Sequence, residues 1–246
     1  MARRLFYVDE VRRDHAELTG DDARHLTKVL RVEVGQIYEI SDGTQLYLAE
    51  VEAAHKALVS FKVTEKLAAP PPRVETTLYA SLFKFDHFEW MLEKATELGV
   101  AHIQPVIAER CDKGLDLAAP KRLERWERIL MESGQQSRRL RRPTIKPPLK
   151  LSIVIGFAKG QKLVLEEKPG CPSLLSLLQP ALLQPVENNL SILLGPEGGW
   201  SDRDRDAIAA KGWLPCSLGH NILRAETAAI AALAIVSVWS IGADTL

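Results

Sequence analysis

The chain has 246 residues, 46% of them hydrophobic and 26% charged, enough apolar material for one large domain or two small ones. Its 32 basic and 32 acidic residues balance to a formal net charge of +0, which excludes a uniformly basic nucleic-acid coat and leaves only a local basic face to grip a polyanion. Three widely spaced cysteines, Cys111, Cys171 and Cys216, supply neither a disulfide framework nor metal-ligand spacing, and they fit a reducing, cytoplasmic setting.

The first residues, MARRLFYVDEVRRD, have no long apolar run and do not read as a signal peptide. Residues 21–35, DDARHLTKVLRVEVG, predict a short helix capped by Asp21 or Asp22, with Leu26, Val29 and Leu30 at helical spacing. QIYEIS, QLYLAEVEAA and ALVSFKVTEK alternate in part between apolar and polar residues, and Asp42-Gly43 marks a hairpin turn between the first two. A small antiparallel sheet or barrel is expected. It ends at LAAPPPR, residues 67–73, where three prolines disfavour helix and central strand alike. The boundary placed there gives domains 1–70 and 74–246.

After Val74 the rhythm changes. VETTLYAS predicts a strand, DHFEWMLEKATELG an amphipathic helix stopped at Gly99, and AHIQPVIA a strand. A helix follows over 120–139, with Pro120 near its start; KLVLEE and LSILLG are apolar strands. SDRDRDAIAAKG is a helix, CSLG a short strand, and a last helix begins near Glu226. This alternation predicts an α/β domain with a mainly parallel sheet covered on both faces. The Ala-rich stretch from Thr227 to Ala243 falls just short of spanning length and reads as a helix buried in protein, not a membrane anchor. Phe83, Phe85, Phe88 and Trp90 read as core or interface; His87 and His102, without companion ligands, read as structural.

Two loops stand out. Gly195, Pro196, Glu197, Gly198 and Gly199 follow a strand and precede a helix for which Ser201 and Asp204 form a capping box. Ligands in open α/β sheets sit at such strand ends, where glycines admit close approach. The loop is neither a Walker loop nor G-x-G-x-x-G, and an ordinary strand-to-helix turn is an equal reading. The second loop, SLGHNILRAETA, sets Arg224 and Glu226 at the mouth of an apolar helix. Either the charges are used there, or Glu226 caps the helix with Arg224 as its ion-pair partner.

LLGPEGGWS and LGHNILRAETA together resemble the two C-terminal motifs of the SPOUT-class methyltransferases that modify N3 of a uridine in bacterial 16S ribosomal RNA. HLTKVLRVEVGQ, KFDHFEWMLEKATELGV, Glu109-Arg110 and QQSRR fit the same family in the same order over nearly the whole chain. Trp200, Asp204, His220, Asn221 and the Gly134-Gln135 pair depart from its usual residues.

The resemblance implies an N-terminal PUA-like β-barrel for RNA binding and a C-terminal parallel-sheet domain closed by a deep trefoil knot. It also implies S-adenosylmethionine as cofactor, a homodimer, and 16S rRNA or the small ribosomal subunit as partner, with no membrane and no metal. Carried onto this sequence, the cofactor loops are Gly195, Pro196, Glu197, Gly198, Gly199, Leu218, Gly219, Ile222, Leu223 and Arg224.

The imide nitrogen of uracil must lose its proton to react. Arg224 suits stabilisation of the resulting oxyanion, and Glu226 or Glu197 could act as base if burial raised its pKa, with capping or bracing as their alternative role. Arg138, Arg139, Arg141 and Arg142 in SRRLRRP, with Arg24, Lys28 and Arg31, are the candidate RNA contacts. The run beside Pro143 is expected to be an exposed loop suited to phosphates. A SPOUT enzyme with another target, such as a tRNA 2′-hydroxyl, or a ribosome-assembly protein without turnover, are the rival readings.

Overall fold

The computed structural model describes residues 4–69, 74–178 and 189–242. It divides into two compact units, one holding residues up to Pro71 together with Gly134–Arg142, the other Pro72–Ser133 and Pro143 onward.

The first unit is a five-stranded sheet in the order β1-β3-β4-β5-β2, built from β1 (Leu5–Tyr7), β2 (His15–Thr19), β3 (Ile37–Ser41), β4 (Leu46–His55) and β5 (Leu58–Leu67). Only β1–β3 is a parallel pair. Helix α1 (Gly20–Lys28) follows β2, with Thr19 at its N-cap and the expected caps Asp21 and Asp22 inside its first turn, where acidic groups favour the positive helix end. Between β3 and β4 the turn is four residues long and contains Asp42-Gly43. Asp42 Oδ1 accepts from the backbone N–H of Thr44 and of Gln45, both at 2.8 Å, and Gly43 takes φ +82°. Phe6, Leu18, Leu26, Ile40, Val51 and Phe61 form the core.

The second unit carries a seven-stranded sheet of parallel pairs, ordered β12-β10-β11-β6-β7-β8, with β9 also on β7. Its strands are β6 (Glu75–Ser81), β7 (His102–Ile107), β8 (Thr144–Ile145), β9 (Leu149–Lys150), β10 (Gln161–Leu165), β11 (Asn189–Leu194) and β12 (Leu214–Cys216). The last strand lies upstream of the expected CSLG, leaving Ser217–Gly219 in a loop. Helices α2 (Phe85–Glu97), α3 (Leu115–Ala118), α4 (Leu123–Gln136), α5 (Leu151–Phe157), α6 (Leu174–Leu178), α7 (Asp202–Ala210) and α8 (Ala225–Gly242) connect them.

Strand alternation builds two cores. Leu78, Ile103, Leu163, Ile192 and Leu194 face Phe88, Trp126 and the inner side of α8, whereas Tyr79, Val106, Val164 and Leu193 face α5, Trp200 and Trp213. Phe83 and Phe88 are fully buried, Phe85 partly so, and Trp90 is exposed. Gly99, at φ +94°, ends α2 as expected, donating to Thr96 O.

The single helix expected over 120–139 begins instead as a 3-10 turn at Ala119–Arg122 that holds Pro120, followed by α4, which stops at Gln136. The prolines at 70–72 and Ala243 lie outside the described residues. Among the described residues no helix is long and apolar enough to cross a membrane.

Candidate active site

Strands β12, β10 and β11 lie side by side, so the loops leaving their carboxyl ends converge. Together with the start of α2 they enclose a cavity of about 700 Å3. All three loops contribute: Glu166–Pro169 after β10, Gly195–Glu197 with Gly199 after β11, and Ser217–Arg224 after β12.

The β11 loop is held rigidly. Ser201 Oγ accepts from Asp204 N at 3.1 Å while the Asp204 carboxylate faces Ser201 N, which is the expected capping box on α7. The Ser201 hydroxyl in turn donates to Glu109 Oε2 at 2.7 Å, and Arg110 Nη1 donates to Gly198 O at 3.3 Å. Glu109-Arg110 thus braces the glycine loop from outside the cavity. A side chain on Gly198 would meet the Arg110 Cβ and carbonyl oxygen at 3.2 Å, and one on Gly195 would meet the Trp200 ring at 3.1 Å. Trp200 is buried and donates from Nε1 to Leu165 O. A partly buried ion pair, Glu166 with Arg205 at 2.9 Å, ties the β10 loop to α7.

Of the residues singled out in the sequence, Gly195, Pro196, Glu197, Gly199, Leu218, Gly219, Ile222, Leu223 and Arg224 all line the cavity, and Gly198 packs behind it on Arg110. Ile222 is 81% exposed, an apolar side chain left open at the cavity wall. Arg224 and Glu197 are exposed.

Glu226 does not pair with Arg224. It is 5% exposed, and its Oε1 lies 3.0 Å from Nδ1 of His87, while its Oε2 has no hydrogen-bond partner among the described residues. His87, set aside in the sequence as structural, lines the cavity beside Lys84. Its partner is 139 positions away, so no local signal could have found the pair. His102 bridges Glu75 and Thr144 on the edge of β7. Burial raises the Cys216 thiol to about 12, so it is neutral at the cavity floor. Among the described residues no group of three or more His, Cys, Asp or Glu is placed to hold a metal ion.

The arginine run is an exposed loop at Arg138, Arg141 and Arg142, as the sequence suggests, but part of its charge is already paired. The Arg138 guanidinium pairs with Glu39, which is 5% exposed, through Nε at 2.9 Å to Oε2 and through Nη2 to Oε1. Arg139 is half-buried, and its carbonyl accepts from the Tyr7 hydroxyl at 3.0 Å. Ser41 Oγ donates to Leu140 O, and Arg141 Nε donates to Gly43 O. A Cβ on Gly134 would lie 2.6 Å from the Tyr7 hydroxyl, which would have to shift. Arg142, Arg24, Lys28 and Arg31 are exposed.

A parallel sheet with a glycine-walled cavity at its carboxyl ends, in a chain that also carries a mainly antiparallel β-unit, defines a two-module α/β protein with a ligand site at its strand ends. A family model described as an RNA methyltransferase domain matches residues 70–237, and one described as an RNA methyltransferase PUA domain matches residues 18–64. The chain belongs to this RNA methyltransferase family. It is 33% identical to a ribosomal RNA small subunit methyltransferase E of Synechocystis sp., over 89% of this chain and 72% of the relative. It is 28% identical to the protein of that name in Aquifex aeolicus, over 94% and 98%. A crystal structure of a ribosomal RNA small subunit methyltransferase E from Neisseria gonorrhoeae, bound to S-adenosyl methionine, superposes with TM-score 0.84 at 27% identity, covering 97% of this chain and 98% of that one.

Proposed function

We propose that the protein methylates N3 of a uridine in the 16S ribosomal RNA of the small subunit, using S-adenosylmethionine. The observation that carries this reading is the cavity where β12, β10 and β11 end, with glycine loops on its walls, in a chain of the RNA methyltransferase family. About 700 Å3 falls in the range that encloses a ligand of drug size. The exposed Ile222, the Leu218 and Leu223 side chains and the backbone of both loops suit an adenosine moiety. S-adenosylmethionine supplies an electrophilic methyl on a sulfonium sulfur, so the protein's task is positioning and electrostatics.

Gly195, Pro196, Glu197, Gly198, Gly199, Leu218, Gly219, Ile222, Leu223 and Arg224 hold the donor. Arg224, exposed in the cavity wall, hydrogen-bonds the uracil oxygen on which charge develops. Glu226 acts through His87 and not on the base itself, and Glu197 braces its loop.

Residues 1–70 form the RNA-binding module. Arg24, Lys28, Arg31 and Arg142 face phosphates, while Arg138, Arg139 and Arg141 fix the 134–142 strap that presents Arg142. The segment after β12 pairs back onto the β10 loop, with Ser217 N donating to Pro172 O and Leu174 N to Ser217 O; this crossing supports the trefoil knot. Exposed Trp90, Val238 and Ile241 on α2 and α8 support a homodimer, and the site of action is the cytoplasm.

The test is methylation of 16S rRNA and of small subunits, from cells lacking this gene, with labelled donor, followed by mapping of the modified nucleoside. N3-methyluridine in 16S rRNA is expected. Label in tRNA or at a ribose 2′-oxygen, or no label together with RNA binding, would refute the assignment in favour of a rival reading.

A further inference from the structure

The reaction needs a group that takes the N3 proton, and the geometry points to Nε2 of His87, held in place by Glu226. The inference rests on the uridine-N3 reading above.

Three observations converge on it. First, His87 sits on the cavity wall, in a lining that also carries Lys84, Glu166, Glu167, Glu197, His220 and Arg224. Second, its Nδ1 is 3.0 Å from the carboxylate of Glu226, a group buried to 5% exposure. In the proposed arrangement the Glu226 carboxylate accepts from Nδ1, which places the ring proton there and leaves Nε2 its lone pair. Nε2 has no hydrogen-bond partner among the described residues, and the ring edge turned away from Glu226 is the one left to the cavity. Third, the other candidates are badly placed. Glu226 is buried and does not line the cavity, Glu166 is paired with Arg205, and Glu167, Glu197 and His220 are exposed, with no partner among the described residues to orient them. A base fixed by a buried acid behind it is the arrangement that general-base catalysis uses to hold one tautomer.

The step balances within the proposed reaction. The N3 proton passes to His87 Nε2, the N3 electron pair forms the bond to the methyl carbon, and the carbon–sulfur pair returns to sulfur. Glu226 faces the imidazolium as it forms, and the half-exposed ring then loses its proton to solvent. Glu226 is a positioning residue; His87 is the catalytic one.

The test uses the full chain with 16S rRNA substrate and three readouts. Histidine 15N spectra of the free protein are expected to show His87 in the Nδ1–H tautomer, with Glu226→Gln redistributing it. His87→Ala is expected to lower kcat by about 10²-fold or more while donor affinity by calorimetry stays within about twofold of wild type, and added imidazole is expected to restore part of the rate. His87→Gln, which keeps bulk and polarity, is expected to fail equally. The proposal is overturned if His87→Ala keeps kcat within about threefold of wild type, if imidazole rescues nothing, or if the spectra show the Nε2–H tautomer. A lost rate accompanied by lost donor binding also counts against it, since that marks a packing role. If the wild-type enzyme forms no N3-methyluridine, the uridine reading itself has failed and this inference falls with it. That outcome is distinct from a normal wild type with an indifferent His87 variant.

Discussion

Ser201→Ala tests how the glycine loop is held. In the native chain this one hydroxyl does two things: it accepts from Asp204 N at 3.1 Å, capping α7, and it donates to Glu109 Oε2 at 2.7 Å. Losing the cap costs about 1 kcal/mol. The bond to Glu109 is charge-assisted but ends on an exposed carboxylate, so its loss adds roughly 0.5–1 kcal/mol. The expected total is about 1.5–2 kcal/mol, or a melting temperature lower by about 3–8 °C for a unit of this size. Urea unfolding followed by tryptophan emission suits the measurement, because Trp200 and Trp213 belong to the same buried cluster as Ile208 of α7. Ser201→Thr should remain near wild type. Ser201→Asp keeps a capping oxygen but sets a second carboxylate against Glu109, so it should fall between the two. The reasoning is wrong if Ser201→Ala shifts stability by less than about 0.3 kcal/mol, or if Ser201→Thr is as damaging as Ser201→Ala.

Arg138→Ala should destabilise the first unit by about 1–3 kcal/mol, because it leaves the Glu39 carboxylate buried without its guanidinium. Adding Glu39→Gln should recover part of the loss, and chemical denaturation of the single and double variants decides it. In RNA binding, Arg24→Ala, Arg31→Ala and Arg142→Ala should each flatten the dependence of log affinity on log salt by about 0.7–0.9 for every phosphate contact removed. Filter binding across a salt series measures this, and unchanged slopes in all three variants would remove these side chains from the interface.

The sequence by itself determined the local elements of the catalytic unit. Near-continuous apolar runs such as LSILL, set between helices with clear stops, describe buried parallel strands because both faces are covered. The capping box at Ser201 and the end of α2 at Gly99 were legible for the same reason: each depends on residues within a turn of one another. Short elements escaped. Strands β1 and β8 have three and two residues, too few for a period to show, and α5 is apolar on a stretch that periodicity does not separate from a strand.

Tertiary structure alone decided what meets across long sequence separation. Strand order brings three loops to one cavity, and nothing in the spacing of Glu166, Gly195 and Ser217 states that order. Packing of α2 against α8 turns a histidine that reads as structural in the sequence and a helix-mouth glutamate into a pair. The arginine run shows the converse: its charge was plain in the sequence, but the 134–142 strap returns to the first unit, where a buried Glu39 takes Arg138. Charge is a property of residues, whereas its availability depends on what the fold places opposite.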